Sequence, residues 1–224
     1  MQLDHRRIAV TGGFGALGAA TVHAALGAGA RVVAIDRTAP PAGGLGHATC
    51  LGGVDLADPQ AAKEALSAAA RAMGGLDALV NIAGTFRYET LAGGDLDTWD
   101  LLYRVNLRTA VAASQAALEH LQAGGRIINI GAASALKAGA GIGAYTASKS
   151  GVMRFTEALA EELKDRDITV NALLPSILDT APNRADMPAA DFKRWVKPQQ
   201  LAEVILFLLS EQASAITGAL IPVT

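Results

Sequence analysis

Short continuous aliphatic runs alternate with longer stretches of helical spacing from one end of the chain to the other. The short runs fall at 7–11, 31–36, 48–54, 78–81, 126–131, 169–174 and 219–223. They lack the apolar/polar alternation of a half-exposed sheet, so they read as strands of a parallel sheet covered on both faces. Between them, Ala- and Leu-rich segments at 16–26, 59–73, 96–121, 144–164 and 199–210 repeat their apolar positions at helical intervals. This β-α alternation predicts an α/β fold: a Rossmann-type doubly wound parallel sheet of about seven strands, helices on both faces. The Pro/Gly-rich stretch 39–46 predicts a surface loop, and no shift in composition divides the chain, so residues 1–224 are expected to form one domain. Two other loops, 84–94 and 176–197, follow the carboxyl ends of strands, where open parallel sheets place their ligands.

Composition narrows the function classes. Half of the residues are hydrophobic (51%) and only 18% are charged, ample for a large core. A net charge of −2 gives no electrostatic reason to expect nucleic acid or an acidic membrane as partner. Cys50 is the only cysteine, which excludes an internal disulfide and a thiolate metal site; no metal is expected. The N-terminus carries no signal-like apolar region and no run approaches a membrane span, so a cytoplasmic location is expected.

The turn after the first strand reads Thr11-Gly12-Gly13-Phe14-Gly15-Ala16-Leu17-Gly18. Glycines there let backbone N–H groups approach a pyrophosphate at the positive end of the following helix. An ordinary glycine-rich turn would look the same in isolation. Asp36, at the end of the second strand, adds the carboxylate that binds a ribose 2′-hydroxyl and repels a 2′-phosphate. That favours NAD. Arg37 beside it is able to accept the phosphate, which keeps NADP as the alternative cofactor.

Tyr145 and Lys149 open the fourth predicted helix at i, i+4 spacing, which sets both on one helical face. A phenol ionises near pH 10, and lowering that to neutrality needs roughly 4 kcal/mol. A neighbouring ammonium and a positive nicotinamide ring are expected to supply it. A Tyr-x-x-x-Lys by itself is as readily a surface pair; here it accompanies the glycine turn and Asp36.

Together these residues resemble the short-chain dehydrogenase/reductase family over nearly the whole chain. The resemblance implies further roles. Asp55 and Leu56 match the family's adenine contact, and Asn81-Ile82-Ala83-Gly84 matches the segment supporting the sheet and adenosine ribose, with Asn81, Ala83 and Gly84 as contacts. Asn106 matches the asparagine of its Asn-Ser-Tyr-Lys tetrad. The segment from Pro175 through Leu178 to Thr180 matches the one that holds the nicotinamide carboxamide. Relatives also pair their two long helices across a two-fold axis, which implies a homodimer or tetramer.

Departures from the pattern bear on substrate. The tetrad serine is expected thirteen residues before the tyrosine, where this chain has Ala132; Ser134 lies eleven before it. The missing serine, together with the glycine turn, the segment Leu178-Asp179-Thr180-Ala181-Pro182-Asn183-Arg184 and Met187, Phe192 and Trp195 beyond it, is similar to the dihydropteridine reductase branch. That branch reduces a quinonoid pterin with NADH. The implied function is therefore reduction of a small conjugated or quinonoid molecule, with Tyr145 as proton donor. Two alternatives stand beside it: an alcohol/ketone dehydrogenase using Ser134, and a catalytically weak dinucleotide sensor. Met187, Phe192 and Trp195 are expected either to stack on substrate or to pack a short lid.

Overall fold

The computed structural model describes residues 2–224; Met1, the first residue of the predicted domain, lies outside the described residues. Seven strands form one parallel sheet in the order β3-β2-β1-β4-β5-β6-β7. They are β1 (Arg7–Thr11), β2 (Arg31–Ile35), β3 (Thr49–Leu51), β4 (Leu76–Asn81), β5 (Leu121–Ile130), β6 (Thr169–Pro175) and β7 (Leu220–Val223). The order reverses between β1 and β4, and a crevice opens at such a switch point beyond the strand ends.

Helices cover both faces, so each strand serves two cores at once. On one side α2 (Pro59–Met73), α4 (Thr109–Ala117) and α5 (Gly143–Glu162) pack on Ala9, Val33, Leu79, Ile127 and Val170. On the other, α1 (Ala16–Gly27) and α7 (Pro198–Leu209) pack on Ile8, Val10, Val32, Val80 and Ile128. Alternate residues of one strand thus point into different cores, which is why the strands read as unbroken aliphatic runs. Alanine does much of the helical packing: Ala62, Ala65, Ala69 and Ala70 of α2 lie in the same core as Ala112, Ala113, Ala116 and Ala117 of α4.

The predicted helix 96–121 is corrected in three respects. It divides into α3 (Leu96–Leu102), a π-helical turn (Tyr103–Arg108) and α4, which ends at Ala117. Leu121 begins β5 instead, although its burial and its spacing from Ala117 continue the helical pattern. A register irregularity follows, with Leu76 opposite Leu121 but Ala78 opposite Arg126. The loop 176–197 contains an unforeseen short helix, α6 (Ala181–Asp186), started by Thr180, whose Oγ accepts the Asn183 N–H at 3.4 Å. The third strand is shorter than predicted and pairs only with β2 at the sheet edge.

Candidate active site

A cavity of about 790 Å³ lies beyond the carboxyl ends of the central strands. Its floor is the turn from β1 into α1. Thr11 Oγ accepts the N–H groups of Ile82 and Ala83 at 3.1 and 3.3 Å, tying this turn to the segment after β4. Gly12, at φ +63°, sits so near that segment that a Cβ would lie 2.7 Å from the Ala83 nitrogen. Gly18 has the same constraint: a Cβ there would overlap the Gly12 carbonyl.

Gly15 is different. Its φ is −74° and a Cβ would meet only Gly12 O, at 3.5 Å, so nothing in the protein requires glycine there. Yet Gly15 lines the cavity, at the start of a helix whose first N–H groups receive no side-chain cap and no acidic neighbour. The space a Cβ would fill is where an anion reaches those N–H groups, so the turn fits a dinucleotide pyrophosphate. Gly15→Val should weaken NADH binding at least about tenfold in calorimetric titration. The melting temperature should fall by no more than about 4 °C, the cost of a poorer cap.

One end of the cavity carries two carboxylates. Asp36 accepts the Phe14 N–H on one oxygen and the Thr38 N–H and Oγ–H on the other, each at 3.0 Å. Arg37 beside it is exposed, lines the cavity and has no carboxylate partner among the described residues. Asp55 accepts the Ala57 N–H at 3.0 Å and an Arg104 guanidinium N–H at 2.5 Å. Leu56, Ala83 and Gly84 complete this stretch of wall.

At the other end, α5 brings Tyr145 and Lys149 into the cavity from its first two turns. Phe86 meets Tyr145 edge-on, ring centroids 4.9 Å apart. Burial pushes the Tyr145 phenol up to about 12 and brings the Lys149 ammonium down to about 8. The expected lowering of the phenol by its lysine is therefore reversed in the ligand-free protein. Desolvation shifts both groups toward their neutral forms, and at neutral pH the phenol is protonated while Lys149 is still largely an ammonium. Lys149 Nζ donates to Ile130 O at 2.8 Å, leaving two donors for the cavity.

The Lys149 shift has a consequence for stability. Its folded value, near 8, lies below the unfolded value near 10.5. Burial therefore costs stability at neutral pH, and the cost disappears as pH rises from about 8 to about 10.5. The unfolding free energy of the ligand-free protein minus that of Lys149→Met should grow across this window by up to about 3 kcal/mol. Denaturant titration at pH 7, 9 and 10.5 measures it; a flat difference would contradict the buried ammonium.

The family model described as short chain dehydrogenase matches residues 6–190. The chain is 31% identical to 2-(S)-hydroxypropyl-CoM dehydrogenase 3 of Xanthobacter autotrophicus, covering 97% of this chain and 94% of that protein. It is 30% identical to the 3-oxoacyl-[acyl-carrier-protein] reductase FabG of Thermotoga maritima, covering 99% and 97%. A short-chain dehydrogenase from Burkholderia cenocepacia, solved in complex with NADP, superposes with a TM-score of 0.87 at 33% identity, covering 100% and 98%. This chain belongs to the short-chain dehydrogenase/reductase family. It is an NAD(P)-dependent oxidoreductase.

Several residues matched to the family by sequence lie elsewhere than on the cavity wall. Asn106 is buried in the π-helical turn, with both side-chain polar atoms engaged: Oδ1 accepts the Thr85 N–H at 2.7 Å and Nδ2 donates to Ser148 Oγ at 2.9 Å. Ser148 donates in turn to the Tyr145 carbonyl at 2.7 Å. The arrangement makes Asn106 a positioning residue between the segment after β4 and α5. A π-helical turn at such a point is a common functional irregularity. Asn81 is likewise interior, donating to Ser114 Oγ and Asn129 Oδ1 at 3.0 and 2.9 Å. Pro175 is buried at the end of β6, and Phe14 meets the site only by its N–H to Asp36.

Ser134 falls in a short 3-10 turn, Ala133–Ala135, and neither it nor Ala132 is among the residues lining the cavity. Leu178 and Thr180 do line the cavity. Phe192 and Trp195 pack against each other at 4.8 Å, with Arg184 over the Phe192 ring at 4.7 Å; neither they nor Met187 line it. Phe192 and Trp195 thus show packing of the kind the lid reading expects, while Met187 is exposed. Sequence reasoning missed Phe86, Arg87 and Arg104, which carry no motif and enter the site only through tertiary contact.

Proposed function

We propose that the enzyme reduces a small conjugated or quinonoid molecule with NADH. The observation that supports this reading is at the tetrad position: the resemblance puts Ala132 where the family has its serine, and Ser134, in a 3-10 turn, is not among the residues lining the cavity. A simple ketone needs a hydrogen bond to its oxygen as charge develops, and losing one such donor costs about 3–4 kcal/mol. An electron-poor conjugated ring needs this support less. Bound NADH supplies the hydride. Tyr145, kept neutral by its burial, delivers the proton to the substrate heteroatom. Lys149 uses its two free N–H groups on the nicotinamide ribose, and Leu178 and Thr180 border the nicotinamide. Asp55 and Leu56 border the adenine.

A turnover screen with NADH against a quinone, quinonoid dihydropterin and simple ketones tests the reading. At least about a tenfold advantage in kcat/KM for the quinonoid compounds is expected; a ketone preferred by that margin overturns it. The names of the hydroxypropyl-CoM dehydrogenase and FabG relatives favour that second reading.

Asp36 is proposed to select NAD. NAD(H) should bind at least about tenfold more tightly than NADP(H), or 1.4 kcal/mol, in calorimetric titration. Equal affinities would assign the ribose site to Arg37, and the NADP in the Burkholderia relative makes the comparison worthwhile. A homodimer or tetramer joined through α4 and α5 is part of the same proposal.

A further inference from the structure

We propose that Arg87 forms an anion subsite at the substrate end of the cavity, so that the acceptor carries a carboxylate, sulfonate or phosphate substituent. The inference deepens the proposed function and rests on it for what is being reduced. It starts from the charges on the cavity wall. Four cations line it, Arg37, Arg87, Arg104 and Lys149, against two carboxylates, Asp36 and Asp55. This surplus stands out in a chain whose net charge is −2.

Three of the four cations have an account already. Arg104 is neutralised by Asp55 at 2.5 Å. Arg37 adjoins Asp36 at the adenosine end, and Lys149 is buried against Ile130 O. Arg87 has none. It directly follows Phe86, whose ring touches Tyr145, so it belongs to the reacting end of the cavity. Its guanidinium makes one hydrogen bond, to the Phe86 carbonyl at 3.0 Å, and no ion pair among the described residues.

Glu89, the acid nearest in sequence, is engaged by the Asp95 N–H at 2.9 Å and the Thr98 Oγ–H at 2.8 Å. The fork of an unpaired guanidinium matches a planar or tetrahedral oxyanion. Phe86 on the same side and Leu178 and Pro182 on the lid give the acceptor's body an apolar lining. The ligand that fits both is a flat apolar acceptor with an anionic group on the edge away from Tyr145.

The redox-inert pair naphthalene-2-sulfonate and naphthalene-2-sulfonamide tests the subsite without turnover, by calorimetric titration of the protein saturated with NADH. The sulfonate should bind at least about tenfold more tightly than its neutral counterpart. That ratio should fall to near one in Arg87→Gln and be partly kept in Arg87→Lys. A ratio near one in the unaltered protein, or a ratio unchanged in Arg87→Gln, overturns the proposal. A parallel assay follows NADH oxidation by 1,4-naphthoquinone and its 2-sulfonate. A sulfonate advantage in kcat/KM that disappears in Arg87→Gln supports subsite and reaction together. Turnover of neither quinone, with the binding ratio intact, supports the subsite and counts against quinonoid reduction alone.

Discussion

Tyr145→Phe should lower kcat for NADH-dependent reduction by at least about a hundredfold while leaving NADH affinity nearly unchanged. The substitution removes one hydroxyl and keeps the ring that Phe86 packs against edge-on. A positioned general acid contributes about 10²–10⁴ in rate, and a hundredfold corresponds to about 2.7 kcal/mol of barrier. Burial holds the phenol near 12, so at neutral pH it is protonated and able to donate. Asn106 and Ser148, the nearest amide and hydroxyl, are engaged with each other and with backbone. Stopped-flow and steady-state measurements with saturating NADH separate binding from chemistry. Near-normal kcat in Tyr145→Phe would reject the assigned proton donor, and the dinucleotide-sensor alternative would then gain ground.

What could be read from the sequence follows from how local each signal is. The sheet was legible because strands serving two cores have no polar face, so β1, β4 and β6 announce themselves as continuous aliphatic runs. The glycine turn and Asp36 were legible because backbone approach and a strand-end carboxylate are properties of a few adjacent residues. The i, i+4 spacing set Tyr145 and Lys149 on one face but carried no information on desolvation, and desolvation decides the direction of both shifts. Leu121 misled for a related reason: a buried leucine at helical distance from Ala117 looks the same whether the chain continues as helix or turns into β5. Asn106 was found through resemblance, yet its engagement by Thr85 and Ser148 depends on the π-helical turn, which has no sequence signature. Arg87 and Arg104 have meaning only once the segments after β3 and β4 and the π-helical turn converge on one cavity.

Ala132→Ser should raise kcat/KM on simple ketones by about ten- to a hundredfold, whereas Ser134→Ala should change reduction of a quinonoid substrate by less than about threefold. The two substitutions probe the same chemical question from opposite sides. Ala132 is extended, at φ −159° and ψ 140°, and directly prolongs the line of β5. Residues two apart on an extended chain share a face, and Ile130, two before Ala132, lines the cavity. By that parity a hydroxyl at position 132 is expected on the same strand face as Ile130. Ser134 does not inherit that parity, because the chain leaves the extended conformation at Ala133 and closes a 3-10 turn with Ala135 N–H bonded to Ala132 O at 3.0 Å. A new donor that reaches the carbonyl oxygen is worth at most about 3–4 kcal/mol, and the neighbouring packing around a buried alanine reduces the gain. Rates with a neutral ketone and a quinone, measured on both variants, decide the matter. If Ser134→Ala lost a hundredfold while Ala132→Ser gained nothing, Ser134 would be the working donor after movement of its turn. An alcohol or ketone would then replace the quinonoid acceptor as the substrate class.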